Sequence, residues 1–317
     1  MGRPTGRGLF MRRYRWIIRG AVLALLLALG AAAALGEEES PYVENEWDYV
    51  DGSMDVTNGI PEDAEGALAD IRDAGVLRVA TEPYFPPQEF IDPTLTGQER
   101  YVGSDMSLAR VLARRMGVDL VIVPMEFTEV LNAVREGYCD LAISALSYTP
   151  GRAATVELSK GYFYAEESLG SALLIRAEDA EAIKGVEDLK GRDIVAQGGS
   201  LQEMLMAENV LDYHEFRRLP SMQEVYDAVA NGEADAAMAD ASSAQFYVEN
   251  NPEAGLMLLP DARFTLEAQF DGDRVAGKKG EFQLMYFVNG VIDELMESGQ
   301  YRYWYNQYEE RAARLGM

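Results

Sequence analysis

The sequence predicts an α/β protein built as two lobes. Strand-like apolar runs alternate with amphipathic helical stretches, the pattern of helices packed on largely parallel sheets. The alternation restarts near Arg176, and its second run ends near Pro260 with two long helical stretches after it. The chain has 317 residues, 48% of them hydrophobic, which is enough for two modest cores.

Residues 1–36 stand apart. They hold Arg3, Arg7, Arg12, Arg13, Arg15 and Arg19 and no acid, then an apolar run and small residues ending at Gly36. A basic segment, a short apolar segment and small residues are the anatomy of a secretory signal peptide. Processing near Gly36 is expected, leaving a product that begins around Glu37. The alternative is an uncleaved anchor. Its run, 20–36, sits at the short limit of the roughly 17–25 residues a span needs, and Arg19 blocks extension. No cysteine lies near the boundary to carry a lipid. Residues 37–65 are acidic, hold Pro41, Gly52, Gly59 and Pro61, lack a sustained period and are expected to be a flexible linker.

The charge excludes some functions. The whole chain carries −25, and setting aside the six leader arginines leaves −31. Such a body does not bind nucleic acid or an anionic membrane face unaided. Cys139 is the sole cysteine, so neither an intrachain disulfide nor a thiolate metal cluster can form. It is expected in the core. His214, the sole histidine, lies in a polar connector beside Asp212, Tyr213 and Glu215 and is not expected to be catalytic. No metal or cofactor is implied. The Gly198-Gly199 loop lacks the spacing of a phosphate-binding loop or a dinucleotide fingerprint.

In chain order, 67–71 reads as a helix stopped by Gly75, and 76–80 as a strand. Pro83, Pro86 and Pro87 then forbid a helix. Ser104-Asp105 reads as an N-cap pair for a helix with Leu108, Val111, Leu112 and Met116 on its face, stopped by Gly117. A strand at 120–123 and a helix at 127–136 follow. After Arg176 come strands at 194–196, 214–219, 236–239 and 256–259, with helices from Ser200, after Ser221 and after Asp240. Long helices at 280–298 and 301–315 close the chain.

The stretch 141–152, LAISALSYTPGR, is the one most suited to a ligand. An apolar strand end opens into Ser144, Ala145 and Ser147, a turn at Thr149-Pro150-Gly151, and Arg152. Ligands of open α/β sheets usually sit beyond strand C-termini. Arginine offers a planar fork of donors matched to a carboxylate. The plainer reading is a strand-to-helix loop with a solvated arginine.

From about Leu68 to Tyr308 the chain resembles the extracellular solute-binding family 3, the periplasmic polar-amino-acid-binding proteins of ABC transporters. The resemblance lies in LRVATEPYFPPQEF, YVGSDMSLARVLARRMG, MEFTEVLNAVREGYCDLAISALSYTPGR, VAQGGS, NGEADAAMAD and FVNGVIDELMESGQYRYWYNQY, in that order. It implies the two-lobe type II periplasmic-binding-protein fold, with a ligand cleft between lobes joined by two hinge crossings. One lobe is expected from 66–173 and 264–317, the other from 174–263.

The resemblance also implies roles. Arg152 matches the arginine that grips a ligand α-carboxylate, with Ser200 and Leu201 where second-lobe amides complete that site. Ser147, the Ala145 carbonyl and Asp240 match the α-ammonium site, and Ser144 lies on the same loop. Phe85 and Phe127 match the aromatic pair around the ligand stem. A zwitterion needs a fixed cation, a fixed anion and apolar walls close together. Plainer readings make Asp240 a helix N-cap and the two phenylalanines core. Glu82 stands where an aspartate is common and Gln197 where some members carry lysine, both facing the ligand side chain in relatives. That pair should disfavour acidic ligands and accept an amide or a cation.

The function so implied is capture of a polar amino acid outside the membrane and delivery to an ABC transporter permease, by a monomer with no enzymatic activity. A cyclohexadienyl dehydratase on the same fold is the enzymatic alternative, but its catalytic carboxylate finds no match near Glu267 or Asp271. A membrane-tethered sensor is the third class, favoured if the leader is retained.

Overall fold

The computed structural model describes residues 59–164, 170–265 and 271–317. The expected signal peptide and most of the acidic linker lie outside the described residues. Among the described residues no helix is long and apolar enough to cross a membrane.

The first lobe is built on a sheet of five strands: β1 (Val76–Thr81), β5 (Asp119–Pro124), β6 (Leu141–Ser147), β7 (Val156–Phe163) and β13 (Asp273–Lys278), in the order β5-β1-β6-β13-β7. The second lobe repeats the plan with β8 (Ser171–Arg176), β9 (Asp193–Gln197), β10 (Glu215–Leu219), β11 (Ala236–Asp240) and β12 (Leu256–Phe264), in the order β10-β9-β11-β8-β12. The core strands are apolar on both faces because helices cover both sides: Leu141, Ala142 and Ile143 are fully enclosed, as are Ile194, Val195 and Ala196.

The expectation of parallel sheets needs correction. Each sheet holds one reversed strand. β13 is antiparallel to β6 and β7, and β8 is antiparallel to β11 and β12. These two strands are the ones by which the chain enters each lobe from the other. They start at the cleft and run away from it, whereas their neighbours run toward it. The second sheet takes in Ser171 and Phe264, so its edges fall slightly outside the expected limits at 174 and 263.

The first lobe carries α1 (Gly66–Ala74), α2 (Ser104–Met116), α3 (Phe127–Arg135), α4 (Pro150–Thr155), α8 (Phe282–Ser298) and α9 (Gln300–Leu315); the second carries α5 (Leu201–Asn209), α6 (Met222–Ala230) and α7 (Ala241–Asn250). A small antiparallel sheet, β2 (Tyr84–Phe85), β3 (Glu89–Ile91) and β4 (Tyr101–Val102), fills the proline-rich stretch. The long terminal helices pack Leu284, Val288, Ile292, Tyr301 and Trp304 into the first-lobe core.

Two local readings change. Ser104 and Asp105 are not a cap pair: Gly103, at φ 126°, caps α2, and both residues are buried inside its first turn. The end of the expected linker is also not free. Ile60 joins the first-lobe core, Arg72 Nη1 donates to the Pro61 and Glu62 carbonyls at 2.9 Å each, and Glu65 N donates to Gln283 Oε1 at 2.8 Å. Cys139 is buried in the core, and His214 is exposed beside Asp193.

Candidate functional site

All eleven residues singled out in the sequence line one cavity between the two sheets: Glu82, Phe85, Phe127, Ser144, Ala145, Ser147, Arg152, Gln197, Ser200, Leu201 and Asp240. The topology accounts for this. β1 delivers Glu82 just past its end, β6 delivers the Ser144 to Ser147 edge, and β9 and β11 deliver Gln197 and Asp240 from the other lobe. Strand ends running toward a common cleft bring together residues far apart in sequence.

Arg152 is not a solvated loop residue. It is 7% exposed and sits in α4, whose N-cap Thr149 accepts from its backbone N–H. Its Nη1 donates to the Ser147 carbonyl at 2.7 Å and its Nη2 to the Gly199 carbonyl at 3.0 Å. Its guanidinium carbon lies 5.5 Å from the centre of the Phe127 ring. Burial lowers its pKa to about 10, and the nearby Asp273 opposes that shift. It stays a cation at neutral pH. A guanidinium has five N–H donors, so those two contacts leave donors for an anion.

The serines are more committed than the sequence suggested. Ser144 Oγ accepts from Glu82 N at 3.0 Å and donates to Glu89 Oε1 at 3.1 Å, so its one proton is used. Ser200 caps α5, accepting from Glu203 N at 3.0 Å and donating to the Gln197 carbonyl at 2.7 Å. What this edge offers the cavity is the start of a helix, at Leu201, where backbone N–H groups lack intrahelical acceptors. The Ser147 hydroxyl makes no hydrogen bond among the described residues. Asp240 is both things the sequence allowed. Its Oδ1 caps α7 by accepting from Ser243 N at 2.9 Å, and its carboxyl lines the cavity.

Two carboxyls of the cavity, Glu82 and Glu89, each have one buried oxygen without a hydrogen-bond partner among the described residues. Glu82 is 2% exposed, and the oxygen is its Oε1. Burial raises its pKa to about 8, against the Gln197 side chain and the Tyr84 backbone N–H, which both lower it. Gln197 is itself held by the Pro220 carbonyl at 3.3 Å.

Behind Glu82 lies a network that sequence reasoning missed. Burial raises the pKa of Glu89, and so do the charges of Asp105 and Glu82; burial raises that of Asp105 too, against the hydrogen bonds it accepts. Asp105 Oδ2 accepts from Ala145 N at 3.0 Å and from the Tyr162 hydroxyl at 2.7 Å, and its Oδ1 accepts from Tyr301 at 2.5 Å. Ala145 has φ 46°, in the left-handed region a non-glycine residue adopts only when its surroundings hold it there. Asp105 supplies that hold.

Phe127 packs against the first-lobe cluster around Val130, and Phe85 packs against the second-lobe cluster around Val225. Phe85 itself belongs to the first lobe, so its ring crosses the cleft. Gln88, Glu89, Phe163, Asp271, Asp273 and Tyr305 also line the cavity and were not singled out as binding residues. Glu267 lies outside the described residues.

A family model matches residues 77–311 and describes the bacterial extracellular solute-binding proteins, family 3. The chain belongs to this family. Family members share the two-lobe fold, and the chain is similar to several amino-acid-binding proteins among them. The arginine-binding extracellular protein ArtP of Bacillus subtilis is 25% identical over 203 residues, covering 64% of this chain and 75% of that protein. A probable histidine-binding protein of Campylobacter jejuni is 24% identical over 74% of this chain and 84% of that protein. Among solved structures, the substrate-binding protein AbpA of Streptococcus pneumoniae, bound to L-arginine, superposes with a TM-score of 0.67 at 31% identity, covering 76% of this chain and 98% of that one. An ancestral amino-acid-binding protein described as a precursor of cyclohexadienyl dehydratase gives 0.65 at 28% identity, covering 77% and 99%.

Proposed function

We propose that this protein captures an amino acid with a cationic side chain outside the cytoplasmic membrane and delivers it to an ABC transporter permease. The observation that carries the reading is Glu82 Oε1, a buried carboxyl oxygen without a hydrogen-bond partner in the cavity that also holds Arg152. A buried carboxylate without a partner is costly. A ligand guanidinium or ammonium supplies the missing donor. Among the described lining residues, Glu82, Glu89, Asp240, Asp271 and Asp273 face a single cation, Arg152. That balance favours a ligand of positive charge over glutamate or aspartate, whose second carboxylate would meet like charge.

In this reading Arg152 and the amides at the start of α5 hold the α-carboxylate, while Asp240 and Ser147 hold the α-ammonium. Phe85 and Phe127 flank the stem, and Glu82 with Gln197 takes the side-chain cation. Relatives that bind arginine and histidine support the ligand class. The expected leader and the family's extracellular solute-binding character support export, and the monomer is proposed as the working form.

The test is calorimetry of the purified protein against arginine, lysine, histidine, glutamine and glutamate at neutral pH. A cationic amino acid should bind, and at a hundred times its dissociation constant should add roughly 2.7 kcal/mol of stability. Glutamate binding more tightly than arginine and glutamine would overturn the ligand class.

A further inference from the structure

Asp273 opens β13, a strand the sequence did not reveal. It lies opposite Ser147 of β6 and Phe163 of β7 and lines the same cavity as Asp240. Its Oδ2 accepts from Gln88 Nε2 at 2.5 Å, and its Oδ1 has no donor among the described residues. Gln88 therefore holds the carboxyl in place while one oxygen stays available. Asp240 comes from the other lobe, so the two carboxyls approach the cleft from opposite sides. Both line the same cavity, and burial, then the charges of Asp105 and Asp240, raise the Asp273 pKa. Arg152, near Asp273, has two of its donors committed to carbonyls. Elsewhere in the cavity, Glu82 Oε1 also waits for a donor, so the site is short of positive charge at more than one point.

We infer that Asp273 is a second ammonium-binding carboxylate, which with Asp240 clamps the primary ammonium of the ligand between the lobes. This rests on the amino-acid reading above and adds a selectivity to it. An ammonium has three N–H donors. Asp240 from one lobe, and Asp273 and the Ser147 hydroxyl from the other, supply three acceptors. Two buried carboxyls facing one cleft ionise together only with a cation between them. Ligands whose amino group is missing or blocked lose this contact. Groups facing Asp273 that set its charge are Asp105 on α2, Asp240 at the start of α7, Asp271 on its own segment and Arg152 on α4.

The experiment compares L-arginine with 5-guanidinopentanoic acid, which keeps the carboxylate and the guanidinium but lacks the amino group. Calorimetry at pH 8 on wild type and Asp273→Asn should show arginine weakened roughly tenfold to a hundredfold by the substitution, the range of a charged hydrogen bond. The deaminated compound should bind both proteins within about twofold of each other. Asp273→Ser, which keeps an acceptor for Gln88, should behave like Asp273→Asn and covers the case in which the amide disturbs folding. Equal loss for both compounds, or no loss for arginine, overturns the role of Asp273 while leaving the amino-acid reading in place. Wild type that binds neither compound, nor any other amino acid, overturns the amino-acid reading itself and this inference with it.

Discussion

Arg152 of the first lobe and Gly199 of the second are joined across the cleft by a hydrogen bond of 3.0 Å from Nη2 to the carbonyl. The same guanidinium holds the Ser147 carbonyl at 2.7 Å. The approach at this point is tight: a Cβ on Gly198 would stand 3.2 Å from Thr128 Cγ2 of the first lobe. An arginine waiting in an open, wet cleft would contribute little to stability. This one is a strut as well as an anion site.

The consequence is that Arg152→Ala should lower both affinity and stability. Losing one member of a buried charged pair costs about 2–5 kcal/mol of binding, roughly thirtyfold to several thousandfold. Without ligand, the unpaired Ser147 and Gly199 carbonyls should cost about 1–3 kcal/mol. Arg152→Lys should also lose affinity, because a point charge cannot bridge two carbonyls and a carboxylate. Calorimetry with melting curves in the absence of ligand checks both halves. Equal amino-acid affinity in wild type and Arg152→Ala would remove the carboxylate assignment.

Glu82 should make the ligand-free protein less stable as pH rises. Its folded-state pKa is raised from 4.5 to about 8, so between those values the folded protein holds a proton that the unfolded chain has released. Stability is then highest near pH 4.5 on this account and falls toward pH 8, beyond which Glu82 adds no further slope. Glu89, Asp105, Asp240 and Asp273 are shifted in the same direction and add to the trend. Urea unfolding at pH 5.5 and pH 8 should show the decline, and Glu82→Gln should shrink it. Arginine affinity should rise over the same interval, because a cation draws Glu82 toward its ionised form.

Tyr301→Phe should destabilise the protein by about 1–3 kcal/mol, since it leaves buried Asp105 Oδ1 without that donor. The Ser104 hydroxyl, which donates to the Tyr301 oxygen at 3.0 Å, loses its acceptor too. Because Asp105 also fixes Ala145 N, ligand affinity should fall along with stability. Denaturant midpoints and calorimetry on the same samples would show whether the two move together.

Gly103→Ala should be far more damaging than an exposed glycine substitution. Gly103 has φ 126°, and an added Cβ would stand 2.1 Å from the Gln88 carbonyl oxygen. The β2–β3 turn, which carries Gln88 and Glu89 to the cavity, would have to move. A loss of more than about 1 kcal/mol is expected from the backbone conformation alone. Gly75→Ala serves as the comparison: it shares a positive φ, yet nothing lies within 4 Å of its added Cβ. Equal melting temperatures for the two variants would show that the turn yields freely.

Much of the architecture was legible because local physics sets it. The helix at Met222–Ala230 follows its Ser221 cap, the Gly117 stop sits in the left-handed region, and the apolar run at Leu141 is a doubly covered strand. The missed elements were those whose pattern is set from outside. β13 carries Asp273, Arg274 and Lys278 through a sheet, held there by β6 and β7 on either side. Asp105 looked like a cap because an aspartate near a helix start usually is one. Only the tyrosines arriving from β7 and α9 make it a buried acceptor.

What the sequence determined by itself was the alternation of elements, the two-lobe plan and, by resemblance, the set of residues that meet in the cleft. What only the tertiary structure decided was how those residues are occupied. Hydrogen-bond partners, enclosure and opposing charge depend on groups distant in the chain, such as Asp105 and Tyr301, or Gln88 and Asp273. A residue type announces which bonds it can make. Whether Ser144 has already given its proton, and Glu82 still lacks one donor, is settled by what the fold places beside them.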